Sequence, residues 1–459
     1  MGRLFGTDGV RGVANADLTP ELALKIGRAG AAIIARTSAP EHPIVVGRDT
    51  RMSGPMLEAA IVAGIASTGR NVLQVGVVPT PGVALITTRI AAAAGVMISA
   101  SHNPVEDNGI KFFGADGFKL SDAMEDEIEA SLDDPRFDRP THDGVGIASV
   151  QEGLIDRYFA TLIEAGAPLQ DLTVVVDAAY GAAFAVGPRA FERLGARVIP
   201  LHAEDDGSRI NVACGTTHMA ALVQRVREEA ERGRQRVVGV AFDGDADRAL
   251  FVDETGAILS GDHVMLILAR DLHARGELVG ATVVGTVMSN VGLERALDRD
   301  SIHLLRAPVG DRYVLEALRA GGFRFGGEQS GHIIDLAHNT TGDGPMTAVR
   351  LFSIVTSSGR SLHELASALT VYPQILINVR VENKGVLEQN EHVVRAIAKA
   401  QTALADQGRI LVRASGTEPL VRVMIEGRDH ADIAALAESV AAVIRAEARG
   451  GSLPETSPT

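Results

Sequence analysis

The sequence predicts an α/β fold, three similar mixed α/β units followed by a smaller α+β C-terminal unit, and three observations lead there. Apolar runs of strand length alternate with amphipathic stretches of helix length through roughly the first 370 residues, the pattern of βαβ units and largely parallel sheets. Each of the first three units ends in a strongly polar loop after its third strand. Beyond residue 370 the order changes to β-α-β-β-α. A chain of 459 residues accommodates roughly three or four domains at about 100–200 residues each.

In the first unit, 1–150, a helix over 18–36 precedes a strand at 44–47, a helix at 56–67, a strand at 72–75 and a helix near 83–88 opened by Pro79-Thr80-Pro81. The strand 95–99 then runs into Ala100-Ser101-His102-Asn103-Pro104. The second unit, 151–255, begins with an amphipathic helix over 153–165. Strand 173–177, helix 182–194, strand 197–201 and helix 219–231 follow, and strand 237–242 delivers Asp243-Gly244-Asp245-Ala246-Asp247. The third unit, 256–370, repeats the scheme with strand 282–287, helix 293–299, strand 303–307 and helix 312–319. It ends in Phe323-Arg324-Phe325 and the loop Gly326-Gly327-Glu328-Gln329-Ser330-Gly331-His332. In such folds ligands bind beyond the carboxyl ends of the strands. The repeat is one of architecture rather than sequence, and each copy presents a different chemical group. The fourth unit, 371–450, has a strand at 374–381, a helix at 390–404, strands at 409–412 and 420–426, and a helix at 429–445. A linker is expected at 370–373, and the polar tail 451–459 is expected to be disordered.

Apolar residues make up 46% of the chain and aromatic ones only 4%, so the cores are built from Ala, Val, Leu and Ile, ample for folding without covalent staples. Cys214 has no second cysteine to pair with, which points to a reducing, cytoplasmic setting and to a role as a small buried hydrophobe. The N-terminal stretch has no apolar secretory core, and no run approaches the ~18 apolar residues of a membrane span. A formal net charge of −14 argues against nucleic acid or an anionic membrane as partner. An anionic small molecule stays compatible where local Arg and Lys override the global field.

Asp243, Asp245 and Asp247 stand at i, i+2 and i+4 after an apolar strand, which places their side chains on one side. Three such carboxylates repel one another unless a hard cation fills the site, and Mg²⁺ or Ca²⁺ takes oxygen ligands of this kind. A solvated acidic turn is the plain alternative. An EF-hand is excluded although Glu254 falls at the twelfth position of a loop starting at Asp243, because Arg248 occupies the sixth, where that loop needs Gly. An Arg touching a metal loop suits an anionic ligand that shares the metal's field, a phosphate first of all.

Ser101 is the candidate nucleophile. It lacks the Gly-x-Ser-x-Gly elbow, and adjacent side chains of an extended segment diverge, so His102 is a poor base for it. A Ser without a base does better as a phosphate carrier, whose phosphate adds a charge near −2 and three acceptor oxygens as a further metal ligand. Pro104 keeps the loop open. An ordinary Ser-His-Asn-Pro turn is the alternative, and Lys111 by itself reads as a surface lysine. Glu328 and Ser330 point the same way and suit adjacent sugar hydroxyls, with flanking glycines allowing close approach. His332 alone reads as structural. In Arg413-Ala414-Ser415-Gly416-Thr417, between two strands, Arg supplies a planar fork for phosphate, Ser and Thr supply hydroxyls, and Gly416 permits a nest of backbone N–H groups. A plain hairpin turn is the alternative. Arg422 and Arg11 are further anion contacts, each reading singly as a surface arginine.

Together, in order along the chain, these stretches resemble the α-D-phosphohexomutase superfamily. The resemblance is carried by Phe5-Gly6-Thr7-Asp8-Gly9-Val10-Arg11-Gly12, by Ile98 to Pro104 with Asn108-Gly109-Ile110-Lys111-Phe112-Phe113, and by Asp243 to Arg248. It continues through Val309-Gly310-Asp311-Arg312-Tyr313-Val314, Gly327 to His332 and Arg413 to Pro419. Gln329 and Gly416-Thr417-Glu418-Pro419 are similar to the bacterial glucosamine branch rather than the mannose/glucose branch. The resemblance implies four domains around a central cleft, the fourth a mobile lid. It implies Ser101 as the phosphorylated residue, with Asp243, Asp245, Asp247 and phospho-Ser101 holding Mg²⁺ and Arg248 near the phosphoserine. Glu328 and Ser330 would bind sugar hydroxyls, and Arg413, Ser415, Gly416 and Thr417 the non-reacting phosphate. Lys111 and His332 would assist proton transfer. The implied reaction converts glucosamine 6-phosphate to glucosamine 1-phosphate through a 1,6-bisphosphate, toward UDP-N-acetylglucosamine, with glucosamine or glucose 1,6-bisphosphate as intermediate or activator. The partner is a small sugar phosphate, with neither nucleic acid nor membrane, and a homodimer is left open. A phosphomannomutase or phosphoglucomutase of the same mechanism is the nearest rival. A non-catalytic sugar-phosphate sensor is a distant one, since such a protein could dispense with Ser101 or the Asp triplet.

Overall fold

The computed structural model describes residues 4–6, 8–134, 137, 139–233, 236–381, 390–414 and 419–448. They form two compact units, Met1–Thr286 with Ile302–Ala368, and Val287–Ser301 with Leu369–Thr459.

The first compact unit contains three sheets. One holds β1 (Val10–Val13), β2 (Ile44–Arg48), β3 (Val72–Val77), β4 (Ala94–Ile98), β5 (Asp107–Gly114) and β6 (Ala148–Val150) in the order β1-β5-β4-β2-β3-β6. The next holds β7 (Thr173–Asp177), β8 (Arg197–Leu201), β9 (Val237–Phe242), β10 (Ala249–Val252) and β11 (Ile258–Leu259) in the order β11-β10-β9-β7-β8. The last holds β12 (Thr282–Thr286), β13 (His303–Ala307), β14 (Phe325–Gly327) and β15 (Ile333–Asp335) in the order β13-β12-β14-β15. One arrangement therefore recurs: β3-β2-β4-β5, β8-β7-β9-β10 and β13-β12-β14-β15 each join three parallel strands to an antiparallel fourth.

The expectation of largely parallel sheets holds for the three parallel strands of each copy. The antiparallel return strands β5, β10 and β15 did not emerge from the sequence. β5 opens with Asp107-Asn108-Gly109 and carries Lys111 in its middle, so it lacks the apolar run by which a buried strand is recognised, yet all but its two ends are buried. The consequence for the site is direct. The loops at 99–106, 243–248 and 328–332 are hairpin tips, each leaving the carboxyl end of a parallel strand. Helices Asp122–Ala130, Gly261–Ala274 and Gly344–Ser358 also went unread.

Local chemistry fixes the elements that carry these sheets. Helix Pro20–Ile34 starts at a proline and is capped by the Thr19 hydroxyl, which accepts from Leu22 N. It lies against helix Gly54–Ala66, and Gly27 permits the approach, because a Cβ there would sit 2.6 Å from the Ile61 carbonyl oxygen. Ile26, Leu57, Ile61, Val46, Val96 and Phe112 join in the core beneath them.

In the second compact unit, β16 (Gln374–Arg380), β17 (Gly408–Ala414) and β18 (Leu420–Gly427) form an antiparallel sheet in the order β16-β18-β17. Helices Glu391–Leu404 and His430–Ala448 pack on it around Val379, Val393, Val423, Ile425 and Val440. Helix Val291–Asp298, placed by chain order in the third sequence unit, belongs to this body. Buried Glu426 accepts from Val291 N at 3.1 Å and from Arg409 Nε at 2.6 Å. The tail 451–459 lies outside the described residues. Among the described residues no helix is long and apolar enough to cross a membrane.

Candidate active site

The first two hairpin tips meet at Ser101. Its side chain is buried, its φ is +52°, and its Oγ donates to Asp243 Oδ2 at 2.6 Å. The left-handed backbone overturns one sequence argument: Ser101 and His102 do not diverge as in an extended chain, and Ser101 Oγ lies 3.3 Å from His102 Nδ1. The His102 imidazole is nonetheless pushed below its ordinary value, by burial first and then by Arg248 and Arg11. The second tip fits because Gly244 has no side chain: a Cβ there would collide with the Ser101 carbonyl oxygen.

Asp243, Asp245 and Asp247 converge, with one oxygen from each within 4.8 Å of the others. Asp245 Oδ2 accepts from Thr80 Oγ1 at 2.6 Å and from Lys111 Nζ at 2.8 Å. Burial alone would raise Asp245, but Lys111 outweighs it and holds the carboxyl below the usual range. Asp243 is pushed well above that range, by burial and then by repulsion from Asp247 and Asp245. Asp245 Oδ1 and Asp247 Oδ1 are buried without a hydrogen-bond partner. A pocket of carboxylate oxygens, two unpartnered and one driven toward protonation, fits a hard divalent cation such as Mg²⁺. Glu254 takes no part, since it accepts from Leu362 N and His363 N at the start of another helix.

Lys111, read alone as a surface lysine, is 1% exposed. It pairs with Asp245, with Asp8 at 3.3 Å and with Asp247 at 3.9 Å. Burial favours its neutral form, but these carboxylates win and raise it above the ordinary lysine value. Asp8 also pairs with Lys119 at 2.5 Å, Lys119 pairs with Asp311, and His332 Nε2 stands 3.8 Å from both Asp311 and Asp247. Opposite charges thus alternate from the Asp triplet through Lys111, Asp8, Lys119 and Asp311, and the His332 ring lies between Asp311 and Asp247. His332 is 2% exposed, and neither ring nitrogen has a hydrogen-bond partner. Glu328 Oε1 accepts from Gly310 N at 3.0 Å, and the Ser330 hydroxyl is buried and unpartnered.

Arg11 pairs with Asp8 and donates to Asn103 Oδ1 at 3.2 Å, while its Nε is unpartnered. Arg248 is raised above its ordinary value, because Asp247, Asp243 and Glu328 outweigh its burial. The structure thus gathers Ser101, the Asp triplet, Lys111, Arg11, Arg248, Glu328 and His332 in one region, with Ser330 on the same tip as Glu328 and His332. Arg413 and Arg422 belong to the other compact unit, as directly opposed residues of β17 and β18. Arg413 is lowered by burial and by Arg422. Ser415, Gly416 and Thr417 lie outside the described residues.

Several site residues had no role in the sequence reading: Asp8, Lys119, Asp311, Thr80, Arg51 and Asn211. The signal for Arg51 was present in Asp49-Thr50-Arg51, a polar run directly after an apolar strand. Cys214 is buried, as expected, with its thiol pushed up to about 12, by burial and then by Asp177. It lies with Asp177 and His202 in a cluster with potential ligand atoms within 4.8 Å, but both Asp177 oxygens already accept backbone N–H groups, from Ala179 and Gly215.

Four family models match in succession: phosphoglucomutase/phosphomannomutase α/β/α domain I over residues 2–139, domain II over 156–256, domain III over 260–372, and the C-terminal domain over 376–443. A phosphoglucosamine mutase of Pelotomaculum thermopropionicum is 54% identical over 432 residues, 94% of this chain and 96% of that one. A solved phosphoglucomutase/phosphomannomutase family protein of Burkholderia thailandensis is similar with a TM-score of 0.83 at 25% identity, covering 99% of each chain. The N-acetylphosphoglucosamine mutase of Aspergillus fumigatus, solved in complex with GlcNAc-6P and magnesium, shares the fold with a TM-score of 0.68 at 17% identity, over 97% of this chain and 96% of that one.

Proposed function

The chain belongs to the phosphoglucomutase/phosphomannomutase family, and from that premise we propose that it interconverts glucosamine 6-phosphate and glucosamine 1-phosphate with Ser101 as the phosphate carrier. The observation that carries this reading is the 2.6 Å contact of Ser101 Oγ with Asp243, beside two further buried carboxylates. The amino-sugar substrate is supported by the 54% identical relative, which is named for that reaction.

In this reading the P–Oγ bond of phospho-Ser101 breaks as a new P–O bond forms to O1 of glucosamine 6-phosphate. The resulting 1,6-bisphosphate turns over and returns its 6-phosphoryl group to Ser101 Oγ, leaving glucosamine 1-phosphate for UDP-N-acetylglucosamine synthesis. Phosphoryl transfer asks mainly for positioning and charge neutralisation. His332, with two unpartnered ring nitrogens, takes the proton of the attacking hydroxyl. Lys111, held as an ammonium by Asp245 and Asp8, donates to the oxygen that bridges serine and phosphorus. Asp243, Asp245, Asp247 and the phosphoserine would hold Mg²⁺, which when bound neutralises charge on the transferring group. Arg248 and Arg11 contact phosphate, and Glu328 and Ser330 bind sugar hydroxyls. Arg413, with Ser415, Gly416, Thr417 and Arg422, grips the phosphate that is not reacting. Glucosamine or glucose 1,6-bisphosphate serves as intermediate or activator.

Equilibrium assays with the 6-phosphates of glucosamine, mannose and glucose test the substrate. Glucosamine 6-phosphate is expected to give the highest kcat/KM. A preference for mannose or glucose 6-phosphate would move the chain to the neighbouring branch with the same chemistry.

A further inference from the structure

Arg51 is fully buried, directly after β2, and uses all five of its side-chain N–H groups. Nε donates to Asp49 Oδ2 at 3.1 Å. Nη1 donates to the carbonyl oxygens of Pro104 and, at 2.9 Å, of Asp107. Nη2 donates to those of Ser101 at 3.0 Å and Asn103 at 2.8 Å. Three carbonyls of the serine loop and that of Asp107, where β5 begins, are thus gathered on one guanidinium plane. Asn211 Nδ2 reinforces two of them, donating to Ser101 O at 2.8 Å and Asn103 O at 3.2 Å. From the other side, Ser99 Oγ donates to Asp49 Oδ2 at 2.6 Å and accepts from Ser101 N at 2.9 Å.

Arg51 is itself anchored. Its backbone N donates to Asp49 Oδ1 at 2.8 Å, and its carbonyl accepts from Gly54 N at 2.8 Å. Thr50 Oγ1 donates to Tyr180 O at 2.5 Å. Gly207 presses on the same backbone, where a Cβ would sit 2.9 Å from Arg51 Cα.

The loop held in this way contains Ser101 at φ +52°, a conformation that non-glycine residues adopt only where the surroundings impose it. Both the Ser101 N–H and the Ser101 carbonyl are bound on the framework side, which leaves Oγ alone to face Asp243. We propose that Arg51 is the positioning residue of the phosphate-carrying serine: its guanidinium fixes the left-handed turn that aims Oγ at the transferring phosphoryl group. This rests on the reading of Ser101 as that carrier. A lysine keeps the charge but brings three donors on a single nitrogen, which cannot reach four carbonyls spread along a planar fork. Misplacement of a reacting group by about 1 Å costs about 10²-fold in rate.

The test is Arg51→Lys, with Asn211→Ala as a second, milder variant that removes donors to the same carbonyls. For each, kcat and KM are measured with glucosamine 6-phosphate. The rate of Ser101 charging by glucose 1,6-bisphosphate is followed by intact-protein mass, and thermal stability is recorded alongside. Arg51→Lys is expected to lose about 10²-fold in kcat with KM changed less than about twofold, and to charge more slowly in the same proportion. Asn211→Ala should show the same split at roughly tenfold, which carries the test if Arg51→Lys does not fold. A destabilised variant with parental kcat and charging rate would overturn the proposal, because it would make the contacts structural only. So would an unchanged Asn211→Ala where Arg51→Lys is unfolded. A parent enzyme that takes no phosphoryl group at Ser101 would overturn the reading of Ser101 itself, and this inference with it.

Discussion

Ser101 Oγ reaches Asp243 Oδ2 at 2.6 Å across 142 residues of sequence, joining the hairpin tip after β4 to the tip after β9. Both tips occupy the same place in two copies of one strand arrangement. A third copy brings Glu328, Ser330 and His332. The fold thus presents three different chemistries from one repeated position, the carboxyl end of a parallel strand where the chain turns back.

Ser101→Ala should abolish mutase turnover while leaving the fold intact. The substitution removes the hydroxyl that donates to Asp243, and Asp243 keeps its bond from Arg248 N at 3.2 Å. Circular dichroism and melting should match the parent, while conversion falls to background. Conversion near the parental rate in a carefully purified variant would remove Ser101 from its role.

Asp245→Asn should weaken cation binding. It takes a charge from a hard-ligand site and leaves Lys111 without its 2.8 Å partner. Titration calorimetry with Mg²⁺ alone should give at least a roughly tenfold weaker Kd, a change of about 1.4 kcal/mol, and activity at limiting Mg²⁺ should drop in step. Equal affinities would make the triplet an acidic turn.

Arg413→Lys should raise KM despite keeping the charge. Arg413 and Arg422 face each other across β17 and β18, where like charges directly opposite repel. A guanidinium makes two parallel hydrogen bonds to phosphate, each contributing about 1.5–3 kcal/mol, and lysine acts as a point charge. Losing one such bond should raise KM for glucosamine 6-phosphate about tenfold or more, and kcat should fall as well. Kinetic parameters equal to the parent's would shift the phosphate grip to other arginines.

His202 gives a pH signature outside the reaction. The Asp177 carboxylate, 3.1 Å from its Nδ1, raises its imidazole above the ordinary value, against partial burial. A raised value in the folded state means that the stabilisation is complete below the unfolded value, about 6.5, and is lost as pH climbs through the folded one. The Tm difference between the parent and His202→Gln should therefore be larger at about pH 6 than at about pH 9. The same difference at both would mean that the pair contributes no charge interaction.

What could be read in the sequence was chemistry concentrated in a few neighbouring residues. Asp243, Asp245 and Asp247 announce a site because their own repulsion demands a partner, and the structure brings them within ligand distance of one another. Lys111 carries no such signal. Its partner Asp245 lies 134 residues away, so nothing nearby distinguishes it from a surface lysine. Arg51 does stand in a polar run, Asp49-Thr50-Arg51, after an apolar strand, but its value depends on carbonyls more than fifty residues downstream. Strand β5 was missed because polar residues at its start and Lys111 within it break the apolar run, although all but its two ends are buried, Phe112 among the residues of helices Pro20–Ile34 and Gly54–Ala66. The contact of Ser101 with His102 depends on a positive φ that a serine does not advertise.

The phosphoserine is the central claim, and intact-protein mass spectrometry before and after incubation with glucose 1,6-bisphosphate and Mg²⁺ tests it most directly. The account predicts a species heavier by one phosphoryl group, mapped to the peptide containing Ser101, discharged on adding glucosamine 6-phosphate and absent from Ser101→Ala. A parent enzyme that never gains that mass yet interconverts the two sugar phosphates would contradict it.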